Sequence, residues 1–275
     1  MLAYFNHQFI EVEKVALPIT DLSIQRGFGV FDFLRTVHLK PLFIDDYLNR
    51  FFNSAKSLQL NPPHDKAALK AIIFELINKN NVPDCGIKII LTGGCSTDGY
   101  TLNAAPNLII TQQQIQPISQ AIFDSGVKVI TQQHQRELPH IKSINYLMGV
   151  YLQQKIKEQQ ASEVLYYKDS IVTELSRANI FMVTYDNKIV TPSTNILHGI
   201  TRKKVLKLAN KNYTVEEREL DIIEFENAAE VFMTSTTKRI LPINQVDDII
   251  IGEGKAGPIT TLLFEQLIKL EKQTI

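Results

Sequence analysis

Little in this 275-residue sequence points to a metal, a membrane or nucleic acid. There are only two cysteines, Cys85 and Cys95, and they have neither metal-ligand spacing nor the pattern of a disulfide framework. No apolar run approaches the length that spans a bilayer. Lys and Arg total 29, as do Asp and Glu, for a formal net charge of zero. That balance favours neither nucleic acid nor an anionic membrane surface. The 12 glycines include no GxGxxG run, so a dinucleotide-binding fold has little support. The opening stretch MLAYFNHQFIEVEKVALP carries Glu11 and Glu13 and no basic segment followed by an apolar one, so no secretory signal is read. No internal repeat or low-complexity tract is visible. The expectation is a cytoplasmic enzyme in a reducing compartment.

What is present is apolar material, 44% of the chain, enough for one large core or two smaller ones. The glutamine-rich segment TQQQIQPISQ is the best candidate linker. The expected organisation is a smaller N-terminal α+β domain over 1–115, a linker at 116–121 and a larger domain over 122–275. Before the linker, strands at QFIEVEKVAL and GVFDFLRTVHLKPLFI lead to helices at IDDYLNRFFNSAKSLQL and DKAALKAIIFELINKNN, then to strands at CGIKIILTGG and APNLIITQ. After it, strands dominate, with helices expected near 145–160, 200–212 and 258–273. Such runs, without strict βα alternation, indicate α+β with largely antiparallel sheets.

Four stretches carry possible chemistry. In HIKSINYLMGVY, Lys142 sits where an extended segment meets a helix on which Leu147, Val150, Tyr151 and Gln154 follow helical spacing. Ser143 or Asn145 is a candidate cap for it. A cation at a helix start opposes the helix dipole, so local stability does not explain Lys142; the plain alternative is a solvated lysine. IVTELSRANIFMV places Glu174 between two strands, where a carboxylate is usually a solvated turn residue. In ILHGITRKKVLKLA, Gly199, Ile200 and Thr201 open a helix, and free N–H groups beside a hydroxyl make an anion seat; the alternative is an ordinary cap. In VFMTSTTKRILP, Ser235, Thr236 and Thr237 follow a strand and can offer hydroxyl donors or form a polar turn.

In chain order, IKSINYL, TELSRANIF, HGITRKKVLKLA and FMTSTTKRILPINQVDDIIIGEGKAGPIT resemble the signatures of class IV (fold type IV) pyridoxal-phosphate enzymes. That group holds branched-chain aminotransferases, D-amino acid aminotransferases and aminodeoxychorismate lyases. RGFGVFDFLRT resembles the group's glycine-rich first motif, and DDYLNRFFNSAKSL its helix with a phosphate-binding arginine. The resemblance implies a two-domain fold with a larger C-terminal, barrel-like sheet and pyridoxal 5'-phosphate as cofactor. By the same resemblance Lys142 forms the imine with the cofactor and carries the proton at the substrate Cα. Glu174 faces the pyridine nitrogen and keeps it protonated. Arg50 binds the phosphate, as do Ile200, Thr201, Ser235 and Thr236, and Tyr146 stands near the phenolic oxygen.

The subclass is not resolved by these motifs. D-amino acid aminotransferases trap the substrate carboxylate with an arginine and a histidine where this chain has Asp98 and Tyr100, and an aspartate repels a carboxylate. The lyases show two arginines where GGCSTDGY has Gly93 and Asp98. Branched-chain enzymes favour a tyrosine and an arginine where Gly86 and Lys88 stand. Phe31, Lys88, Tyr100 and Thr237 are the expected substrate-facing residues. The implied activity is amino-group transfer between an amino acid and a 2-oxo acid. The runner-up is aminodeoxychorismate lyase, forming 4-aminobenzoate and pyruvate; a cofactor-binding protein without turnover comes third. The group's sites lie between its two domains and are completed by a neighbouring subunit, which implies a homodimer.

Overall fold

The computed structural model describes residues 1–102 and 105–275. The chain forms two compact units, one of Met1–Gln116, Ile141–Asn145 and Thr274–Ile275, the other of Pro117–His140 and Tyr146–Gln273. The boundary between the units, after Gln116, falls within the segment expected as a linker. Ser119 accepts a hydrogen bond from the Ile122 N–H and caps a helix, Gln120–Ser125, so this stretch is ordered by its own hydrogen bonds. Lys142, expected in the C-terminal part, lies in the first unit.

That unit contains β1 (Leu2–Phe5), β2 (Gln8–Glu11), α1 (Leu22–Arg26), β3 (Gly29–Val37), β4 (Lys40–Pro41), α2 (Ile44–Ser57), α3 (Lys66–Asn80), β5 (Cys85–Thr92) and β6 (Leu108–Gln113). Its sheet has the order β2-β1-β6-β5-β3-β4, with every described pairing antiparallel. The expected strand over QFIEVEKVAL stops at Glu11, where Val12–Lys14 turns into a 3-10 helix. α3 starts where Asp65 accepts from the Ala68 N–H. α2 and α3 bury Leu48, Phe51, Leu69, Ile73, Leu76 and Ile77 along with Leu34, Ile87, Ile89 and Leu91 of the sheet, all fully enclosed. Burying each such side chain stabilises the unit by roughly 1.5–3 kcal/mol. Because side chains alternate across a strand, Phe31, Phe33, Lys88 and Ile90 occupy the other face, half-buried.

The second unit adds α4 (Gln120–Ser125), β7 (Val127–Gln133), α5 (Leu147–Tyr151), α6 (Gln153–Glu158), β8 (Glu163–Lys168), β9 (Ile171–Leu175), β10 (Asn179–Thr184), β11 (Ile189–Thr191), α7 (Ile200–Ala209), β12 (Val215–Glu217), β13 (Ala228–Ser235), β14 (Arg239–Val246), β15 (Ile249–Ile250) and α8 (Pro258–Thr274). Its sheet runs β12-β11-β10-β13-β14-β7-β8-β9, with β15 on β14. Among the described pairings, only β11–β12, β14–β7 and β7–β8 are parallel. The sheet curls into a half-barrel whose far edge, β9, returns beside β10 through a Leu175–Ala178 bridge. Its central strands are buried on both faces: Ile180, Met182, Val231 and Met233 enter one cluster, and Phe181, Val183 and Phe232 enter another with Val205 and Leu208 of α7. Phe181 and Phe232 stack across the strand pair at 5.0 Å. Two-sided burial is why NIFMV reads as an unbroken apolar run.

The helix expected after Lys142 is split into α5 and α6. Its N-cap is Tyr146, with no side-chain cap bond, and neither Ser143 nor Asn145 takes that place.

Candidate active site

The first unit secures Lys142 by its backbone. β4 pairs only with Thr36 and Val37, leaving the start of β3 with an open edge whose backbone groups require partners. Residues 141–145 fill it. The Phe31 N–H donates to the Lys142 carbonyl (2.9 Å), the Ile144 N–H donates to the Gly29 carbonyl (3.0 Å), and the Lys142 N–H donates to Ser54 Oγ of α2 (3.2 Å). These three bonds present the Lys142 side chain on the sheet's half-buried face. Its Nζ lies 4.4 Å from the centroid of the Phe31 ring, and Lys88 Nζ lies 5.4 Å from the same centroid. One aromatic ring thus carries two ammonium groups, making an electropositive patch with an apolar floor.

Arg50 points to a buried carboxylate. Its Nε donates to Asp32 Oδ2 at 2.9 Å and its Nη2 to Asp32 Oδ1 at 2.6 Å, and Asp32 is fully enclosed. This fork fixes the guanidinium plane. The Tyr100 side chain is 81% exposed. Its loop is organised by Asp98, which accepts from the N–H groups of Tyr100 and Thr101 and from the hydroxyls of Thr101 and Ser96. The Thr101 hydroxyl and these other donors hold the Asp98 carboxyl far below the usual range. The aspartate that replaces the expected arginine is a loop organiser.

The second unit secures its groups by charge. Glu174 lies within β9 and is 4% exposed, which rules out the solvated turn residue. Its Oε1 accepts from Arg136 Nε at 2.7 Å and its Oε2 from the Leu197 N–H at 2.9 Å. Arg136 Nη2 also donates to the Pro139 carbonyl. Sequence reasoning passed over Arg136 because nothing in QHQRELPH separates it from a surface arginine; Asp32 was missed in the same way. Beside this pair, burial pushes the Tyr166 hydroxyl up to about 12, and the Glu163 carboxylate adds to the shift. Tyr146 lies close enough to act on Tyr166 electrostatically.

The anion seat takes shape at the start of α7. Gly199 is the N-cap and no side chain caps the helix. A Cβ at position 199 would collide with Asn179 Oδ1, and Asn179 Nδ2 donates to the Leu197 carbonyl at 2.7 Å. Asn179 is in register with Thr234, whose buried hydroxyl has no partner among the described residues. Ile200 is buried and Thr201 half-buried. In the β13–β14 turn, Ser235 and Thr236 are half-buried and Thr237 is exposed; Ser235 Oγ accepts from the Lys238 N–H at 3.2 Å. An uncapped helix start, a glycine that admits close approach and an unsatisfied hydroxyl on the neighbouring strand suit a phosphate.

A model of the class IV amino-transferases matches residues 29–246. A D-alanine aminotransferase of Bacillus licheniformis is 33% identical over 266 residues, 94% of this chain and 93% of that protein. A branched-chain amino acid aminotransferase of Escherichia coli has the same fold (TM-score 0.92, 23% identity, 98% of this chain and 94% of that one). A 4-amino-4-deoxychorismate lyase assignment accompanies a solved chain from Legionella pneumophila that is 27% identical with a TM-score of 0.82, covering 94% of this chain and 97% of that one.

Proposed function

The chain belongs to the class IV aminotransferases, and we propose that it binds pyridoxal 5'-phosphate through Lys142 and moves an amino group between an amino acid and a 2-oxo acid. The observation that carries this reading is the Glu174–Arg136 pair, a buried carboxylate bonded to a guanidinium on one oxygen and to the Leu197 N–H on the other. When bound, the cofactor supplies an electron sink for negative charge at the substrate Cα.

Each residue then has a definite task. Glu174 holds the proton on the ring nitrogen by its negative charge, and the Arg136 guanidinium fixes the carboxylate in place. Lys142 supplies the amine and moves the proton at Cα. The N–H groups of Ile200 and Thr201, the Thr201 hydroxyl, and the hydroxyls of Ser235 and Thr236 would bind the phosphate; Arg50, proposed with them, has its Nε and Nη2 committed to Asp32. Tyr146 would stand near the cofactor's phenolic oxygen. Phe31 forms an apolar wall and Lys88 attracts a substrate carboxylate; Tyr100 and Thr237 are proposed only as outer contacts. The lyase reading has a solved relative with that assignment and the Gly99-Tyr100 pair of the loop in its favour, but the loop lacks the two arginines of the lyase pattern.

A homodimer is supported by the exposed Leu147, Val150 and Tyr151 of α5, at 78%, 68% and 75%, an apolar group that a second copy would cover; sedimentation tests it. Among the described residues no helix is long and apolar enough to cross a membrane. The two unbridged cysteines suit the cytoplasm proposed as its compartment. The decisive test is a half-reaction followed by cofactor absorbance with a panel of L- and D-amino acids. One amino acid alone should convert the pyridoxal form stoichiometrically into the pyridoxamine form. Pyruvate release from aminodeoxychorismate without an added oxo acid, and no such conversion, would favour the lyase.

A further inference from the structure

Glu163, at the start of β8, is fully enclosed and gathers three partners from two turns. The Ser176 hydroxyl donates to Oε1. Arg177 Nε lies 3.2 Å and Lys238 Nζ 3.4 Å from Oε2. Ser176 and Arg177 form the turn immediately after β9, the strand that carries Glu174. Lys238 belongs to the turn after β13, which carries Ser235 and Thr236, and its own N–H donates to Ser235 Oγ. One buried carboxylate therefore ties together the end of the Glu174 strand and the hydroxyl-bearing turn.

We propose that Lys238 and Glu163 are positioning residues that clamp the Ser235–Thr236 turn in the conformation that receives the cofactor's phosphate. Lys238 is drawn inward, with its side chain 17% exposed, and its ammonium group reaches Met233 Sδ at 3.7 Å as well as Glu163. Burial pushes this ammonium down from the ordinary lysine value while the Glu163 carboxylate works against that. A solvated turn would need no such arrangement, since a surface lysine avoids the desolvation cost. Burial of the pair makes the turn's geometry depend on the contact, because an ion pair shielded from water is weakly screened. Arg177 remains on Glu163 when Lys238 is removed, so the carboxylate is not stranded and Lys238→Met is expected to fold.

This inference rests on the cofactor reading above, and the experiment separates the two. The full-length chain, freed of cofactor by dialysis against hydroxylamine, which displaces the Lys142 imine, and then against buffer, is titrated with pyridoxal 5'-phosphate and with pyridoxal, which lacks the phosphate, in wild type, Lys238→Met and Glu163→Gln. The clamp predicts a loss of about tenfold in affinity for the phosphorylated form, equal to ~1.4 kcal/mol, with pyridoxal binding changed less than about twofold on the same scale. Lys238→Arg should recover part of the phosphate preference. Glu163→Gln keeps the side chain's shape and its bond from Ser176, so it supplies a second reading should Lys238→Met lose its fold. A lowered melting temperature with an unchanged preference for the phosphorylated form overturns the clamp and leaves only a structural ion pair. A wild type that binds neither compound overturns the cofactor reading and the clamp together.

Discussion

Lys142 in the first unit and Glu174 in the second are held by opposite means. In the first, Lys142 is carried on a five-residue segment that completes an open strand edge through backbone hydrogen bonds, and its ammonium group meets an aromatic ring. In the second, Glu174 is held by its own carboxylate, through an arginine and a backbone N–H. Backbone bonds are indifferent to side-chain identity, whereas an ion pair fails when either partner is removed. A residue of the first kind can be changed for its chemistry alone. One of the second kind cannot be separated from its neighbour.

The largest effect should come from Lys142. Lys142→Ala is expected to slow transamination by on the order of 10²–10⁴-fold while its melting curve stays close to wild type, because the segment's backbone bonds remain. Borohydride reduction of the wild type should fix the cofactor to the peptide containing Lys142. Labelling of another lysine would refute the assignment, and a collapse of stability in Lys142→Ala would refute the backbone account.

Next in size is the Arg136–Glu174 pair. Arg136→Met leaves a buried carboxylate without its cation, which should destabilise the protein by about 3–5 kcal/mol as well as lower the rate. Glu174→Gln keeps the side chain's shape and should cost less stability while losing most of the rate, since a neutral amide holds the ring-nitrogen proton poorly. Thermal melts and single-turnover kinetics on both variants check this. Should Arg136→Met melt like wild type, the contrast between the units would be lost.

The smallest effect sharpens the contrast from the other side, because the first unit has a charge-based hub of its own. Asp21 is fully buried and accepts from the Ser23 N–H, the Thr92 hydroxyl and Asn107 Nδ2. Burial alone would push its carboxyl up, but the bonds from Ser23, Thr92 and Asn107 outweigh that and leave it below the usual aspartate value. Its folded value is thus depressed. Its contribution is fully present above the unfolded aspartate value near pH ~3.9 and is lost as pH falls through the lower folded one. Melting temperatures measured down that acid range should drop more steeply in wild type than in Asp21→Asn. Equal slopes would show that Asp21 adds no acid sensitivity.

Much of the fold was legible because amphipathic periodicity and capping residues act locally. The cores of α2 and α3 follow from the spacing in LNRFFNSA and LKAIIFELI, and the strands at NIFMV and EVFM from their apolar runs. The helix after Lys142 was read less well: Leu147, Val150 and Tyr151 keep helical spacing yet face outward, since spacing shows which side chains share a face and not what that face meets. Lys142, Glu174 and the Gly199–Thr201 turn were legible through motif order. Arg136, Asp32, Glu163 and Lys238 were not, because each gains its role from a residue 18 or more positions away.

Periodicity along the chain was enough for the class of fold, and motif order, through its resemblance to a family, pointed to the lysine, the glutamate and a glycine-led helix start, since such motifs are carried by neighbours within a few residues. The partners of those groups are a matter of packing. That Lys142 would complete the β3 edge, that Arg136 would neutralise Glu174, and that Asp98 would fold a loop around itself depends on which strands lie side by side. Ion pairs and hydrogen bonds act over a few ångströms in space, and distance along the chain says little about them.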